Sequence, residues 1–69
     1  MRYIVLYEET DSGWGAYPPD LPGVGIVAPT KAKARDSVRT AIEMHLSGLR
    51  AQGLAIPAPR SSAEHVEVS

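Results

Sequence analysis

Gly13-Trp14-Gly15-Ala16-Tyr17-Pro18-Pro19-Asp20-Leu21-Pro22-Gly23 is the stretch that decides how this 69-residue chain folds. Its first half, Trp14 to Tyr17, reads as a strand, and Pro18 closes that strand because proline has no N–H for a ladder. Pro18, Pro19 and Pro22 then hold three φ angles at about −65°. Gly23 adds a backbone conformation closed to residues that carry a Cβ. The run Pro19-Asp20-Leu21-Pro22-Gly23 is therefore a stiff structural turn, with Asp20 read as part of its turn chemistry.

Toward the N-terminus, Arg2 to Tyr7 is rich in aromatic and β-branched residues and reads as a strand. Alternation places Tyr3, Val5 and Tyr7 on one face and Ile4 and Leu6 on the other, so both faces are apolar. Glu8 to Gly13 is a polar hairpin connection, which makes the first two strands antiparallel. On the other side of the corner, Val24 to Ala28 reads as a third strand, with Gly25 a candidate bulge.

Beyond Pro29 the period changes. Thr30 is a good helix N-cap, and from Lys31 to about Gln52 apolar residues recur at helical spacing. Ala34, Val38, Ala41, Ile42, His45, Leu46 and Leu49 share one arc, while Arg39 and Glu43 form an i,i+4 pair on the opposite side. Gly53 is the expected stop. Leu54 to Pro59 is an extended connector, and the polar/apolar alternation of Glu64 to Val68 suits a short final strand. The expected fold is α+β: an antiparallel β-sheet with one long helix on one face, in the order β-β-β-α-β, forming a single domain over residues 1–69.

The bulk composition narrows the function. Seven Lys and Arg against eight Asp and Glu leave a net charge of −1, with no electrostatic signature of nucleic-acid binding. There is no cysteine, so no disulfide or thiolate metal site supplements a small core. No apolar run approaches the roughly 20 residues that span a bilayer, and Tyr3 to Tyr7 is too short for a signal peptide. A cytoplasmic protein without a membrane partner is expected.

Chemistry is sparse. His45 falls within the apolar arc and reads as a histidine at the core edge; His65 reads as solvent-facing. Glu8, Glu9, Asp11 and Asp20 lie near strand ends, where turn residues account for them as readily as a divalent-metal site. Lys31, Lys33 and Arg35 crowd the helix start and read as a solvated turn or as an anion-binding cluster. Trp14 reads equally as the main core aromatic or as an interface anchor. The expectation is no catalytic, cofactor-binding or metal-binding residue, and no enzymatic activity.

One helix covers one face of a sheet whose first strand is apolar on both. The uncovered surface thus reads as an interaction site, with Tyr3, Val5, Tyr7, Trp14, Val66 and Val68 as the candidate residues for a partner or oligomer interface.

Tyr3-Ile4-Val5, Gly13 to Tyr17, Pro19 to Gly23, Thr30 before an Ala-containing helix, Ala41-Ile42-Glu43 with His45-Leu46, and Gly53 leading to Ile56-Pro57-x-Pro59 together resemble the HicB family of type II toxin–antitoxin antitoxins. The resemblance runs over nearly the whole chain. It implies a partially degraded ribonuclease-H-like fold without nuclease activity. It further implies that the protein binds a HicA-type toxin, a small mRNA-cleaving protein, and covers its active surface. Many members also carry a C-terminal DNA-binding segment. This chain stops after one short expected strand, so it reads as a short form for which direct DNA binding is not expected. Val24 stands where members often have Cys, and Lys31-Ala32-Lys33 where they tend to be acidic. The alternatives are a solitary homo-oligomeric domain, dimer or tetramer, without a toxin partner, and a residual metal-dependent nuclease.

Overall fold

The computed structural model describes residues 1–69. Three antiparallel strands, β1 (Leu6–Thr10), β2 (Gly13–Tyr17) and β3 (Ile26–Ala28), form a sheet in sequence order, followed by one helix, α1 (Lys31–Ala51). This is the expected α+β arrangement, with the helix on one face.

The strands are shorter than their apolar runs, and Pro18 is the reason. Leu6 faces Tyr17 and Ala16 faces Ile26. Continuing either register would set Val5 and Val24 opposite Pro18, where the ladder lacks a donor. Met1 to Val5 therefore run on outside the ladder instead of opening β1, and Gly25 precedes β3 instead of forming a bulge within it.

The proline corner is two consecutive β-turns. The Leu21 N–H donates to the Pro18 carbonyl at 3.1 Å, and the Val24 N–H donates to the Leu21 carbonyl at 3.2 Å. Each turn has proline at its second position, and Gly23, at φ +86°, occupies the third position of the second turn. Leu21, shared by both turns, is buried. Gly13 meets a harder constraint. Its φ is +153°, and a Cβ there would lie 2.3 Å from the Ala28 carbonyl oxygen of β3.

The helix begins and ends as its sequence specifies. Thr30 Oγ1 accepts the Lys33 N–H at 3.2 Å. At the other end Gly53, at φ +69°, allows a Schellman closure, with the Leu54 N–H donating to the Leu49 carbonyl and the Gly53 N–H to the Arg50 carbonyl. Ala34 and Val38 pack against Ala16 of β2, with Val5, Tyr7, Trp14, Ile26, Ala28 and Ile42 around them.

Only five of 69 residues are buried: Ala16, Pro18, Leu21, Ala34 and Val38. Length explains where burial stops. At 1.5 Å per residue α1 is about 31 Å long, whereas a five-residue strand spans about 17 Å. The helix outruns the sheet, and its second half has no strand beneath it.

The expected final strand over Glu64–Val68 does not form. Everything after Gly53 lacks regular structure, and Val66 and Val68 are 71% and 84% exposed. Alternation gives a segment a face but not an edge to pair with, and this segment lies on neither edge of the sheet. No helix is long and apolar enough to cross a membrane.

Candidate functional site

The overhang of α1 and the unladdered N-terminal segment together leave an open groove of about 440 Å³. Tyr3, Val5 and Tyr7 line one wall; Val38, Ile42 and Leu46 line the other. Arg2, Arg35, Arg39 and Glu43 also border it, so an apolar trough has a mostly cationic margin. Arg39 Nε lies 4.0 Å from the Glu43 carboxylate, an exposed pair of little energetic weight.

Beside this groove runs the free edge of the sheet, because β1 pairs with β2 on one side only. The opposite edge, β3, is three residues long and lies between Gly25 and Pro29, which limits pairing with another strand. The β1 edge carries the charges Glu8 and Glu9 toward the hairpin, and only its start and the segment leading into it are without protection. Tyr3-Ile4-Val5-Leu6-Tyr7 contains no proline, glycine or charge.

Of the expected interface residues, the structure brings Tyr3, Val5 and Tyr7 together in the groove. Val5, Tyr7 and Trp14 also pack against the core, on the helix-covered face, so they are half-buried rather than displayed on an open sheet. The uncovered face presents Ile4, Leu6, Tyr17 and Val27, with Val27 83% exposed. Val66 and Val68 lie on the tail, away from any strand pairing. Sequence reasoning placed Ile42 and Leu46 on the apolar arc of the helix without separating the part of that arc over the sheet from the part that lines the groove. The signal was available in the length of the helix against the short strands.

Lys31 is not a free cation at the helix start. Its Nζ sits over the rings of Tyr7 and Trp14, at 5.4 and 5.5 Å from their centroids. This holds Trp14 between the core and a cationic lid.

Asp20 departs from its expected role. Its carboxylate serves not the corner but the C-terminal tail: Oδ2 accepts the N–H groups of Arg60 and Ser61 at 2.8 and 2.9 Å, and Oδ1 accepts the Ser61 hydroxyl at 2.8 Å. The Ser61 and Arg60 amides, then the Ser61 hydroxyl, hold the Asp20 carboxyl below its ordinary value of 3.8. The Tyr3 hydroxyl makes a second tie, donating to the Pro57 carbonyl. The partners of Asp20 lie 40 and 41 residues away and that of Tyr3 54 residues away, beyond the reach of local sequence patterns.

No three His, Cys, Asp or Glu side chains converge as a metal site. His45 is half-buried on the helix and His65 is exposed on the tail. What the arrangement offers chemically is a surface for strand addition and apolar contact. Compared with known proteins, the chain matches no family model, and no curated protein or solved structure shows significant similarity to it.

Proposed function

We propose that this chain is a non-enzymatic, cytoplasmic protein-binding domain of the HicB antitoxin type, which occludes a HicA-type mRNA-cleaving toxin and acts as a homo-oligomer. The observation that supports it is the incompletely closed core: an apolar groove lies open beside a sheet edge that has no partner strand. A domain that functions alone has reason to close such a surface, whereas a binding domain keeps it for its partner. The Pro19–Gly23 corner and the Ile56-Pro57-x-Pro59 connector support the family reading through resemblance. The mechanism is steric: the partner's catalytic surface docks against the groove and edge, and RNA no longer reaches it.

Co-expression with a HicA-type toxin tests the reading. Rescue of growth and co-purification of a stable complex are expected. Persistent toxicity without a complex would overturn it, leaving a homo-oligomeric interaction domain without a toxin as the reading that the same groove favours.

A further inference from the structure

We propose that Tyr7, Glu9 and Trp14 form a docking site for an arginine side chain of the partner protein, a place that Lys31 fills in the free chain. The inference deepens the protein-binding reading and rests on it: it names the chemistry at one end of the groove.

Strand register builds the site. Tyr7 faces Ala16 and Glu9 faces Trp14 across β1 and β2, and opposed residues point to the same side of a sheet. Tyr7, Glu9 and Trp14 therefore share the helix-covered face, close to where α1 begins. Tyr7 and Trp14 are half-buried and pack against the core, which fixes their rings, while Glu9 is exposed. Tyr7 also lines the groove, so the two surfaces are continuous. The charge changes sign between them. Arg2, Arg35 and Arg39 border the groove, whereas the chain past Tyr7 carries Glu8, Glu9 and Asp11.

Lys31 demonstrates that the two rings accept a cation, since its Nζ lies 5.4 and 5.5 Å from their centroids. Three features make it a poor occupant. The first is position. Lys31 opens the helix, whose first turn holds no acidic residue, and Lys33 and Arg35 follow it; the macrodipole and these neighbours all repel its charge. The second is geometry. Nearly equal distances close to the outer limit of about 6 Å place the ammonium between the rings, stacked on neither. The third is the missing anion. The one ion pair of the chain is Arg39 with Glu43, so neither Lys31 nor Glu9 has an opposite charge in contact.

A guanidinium meets what Lys31 leaves unmet. Its planar face stacks on an aromatic ring, and its fork of N–H groups donates to a carboxylate in the same pose. Displacing Lys31 costs little, because its side chain is exposed and regains rotamer freedom in water. Trp14 also borders an open depression of about 310 Å³ with Thr10, Ser12 and Pro29, which leaves space beside the ring for the stem of an incoming side chain.

NMR titration of the full chain with Nα-acetylarginine amide tests this, followed at the indole N–H of Trp14, the only tryptophan. Saturable movement of that resonance is expected, with a dissociation constant on the order of tens of millimolar for a single side chain. Nα-acetylcitrulline amide, which keeps the shape without the charge, should leave the resonance in place. Lys31→Ala vacates the rings and should tighten binding of the arginine probe roughly threefold, whereas Glu9→Gln should weaken it by about as much. Both substituted residues are exposed, and unmoved Ala34 and Val38 amides check that each variant keeps its core. No saturable movement in any of the three chains, an equal response to the citrulline probe, or an affinity indifferent to either substitution would each overturn the inference. Probe binding as expected without a toxin complex would break the antitoxin reading and leave the site standing. A toxin complex with a silent Trp14 titration would do the reverse.

Discussion

The two halves of α1 have similar apolar arcs and different fates. From Lys31 to Val38 the helix lies on the sheet, and Ala34 and Val38 are buried. From Ile42 to Leu49 the same pattern is at best half-buried. No buried residue precedes Ala16 or follows Val38. Periodicity thus specifies which side of a helix is apolar; the length of the sheet below decides how much of that side becomes core. The remainder is surface with the composition of an interior, which is how a small chain comes to carry an open apolar patch.

The strongest way to break this contrast is at the sheet that supports the first half. Gly13→Ala forces a Cβ to 2.3 Å from the Ala28 carbonyl in a conformation that side chains avoid, so β2 and β3 must separate. A loss of about 3 kcal/mol or more is expected, read as failure to fold or a collapse of the urea midpoint. Next comes truncation within each half. Val38→Ala should cost about 2–3 kcal/mol and lower Tm by roughly 10 °C or more, because Val38 is 2% exposed. Leu49→Ala, although it removes more atoms, should cost about 1 kcal/mol. Equal costs in thermal melts would remove the distinction between the halves.

Gly48 sharpens the comparison with the opposite sign. It sits inside the helix with nothing within 4 Å of where a Cβ would go. Gly48→Ala should stabilise by about 0.5–1 kcal/mol, visible as a higher midpoint in chemical denaturation. The smallest effect is local. Because its bonds hold the Asp20 carboxyl below 3.8, the stabilisation they provide is fully present above that value and is lost as pH falls through the lowered one. Acid titration should therefore shift the Arg60 and Ser61 amide resonances at a pH below the ordinary carboxylate range, while those of Ala34 and Val38 stay in place. Asp20→Asn should give the released tail spectrum already at neutral pH.

Much of this was legible in the sequence, and what escaped did so for physical reasons. Thr30 and Gly53 act through their immediate neighbours, so the helix bounds are local information. The corner is equally local, since proline and glycine act on their own φ angles. The ends of β1 and β3 are not: their apolar residues continue, but the partner strand stops at Pro18. A strand is a property of two segments, and the shorter sets its length. Glu64 to Val68 fails for the same reason, having the pattern of a strand and no edge. Asp20 was misread because a carboxylate in a turn has the same sequence signature whether it bonds its neighbour or a tail forty residues on.

That last contact works as a cross-link in a chain without cysteine. Asp20 and Ser61, 41 residues apart, close most of the molecule into one loop, joined by hydrogen bonds instead of sulfur. A disulfide acts largely by restricting the unfolded chain, before any native contact exists. This link forms only once the corner is built and the helix has delivered the tail, so it bears the entropy of closing the loop rather than sparing it. It is consequently indifferent to redox conditions and responsive to protons, because its acceptor is a carboxylate.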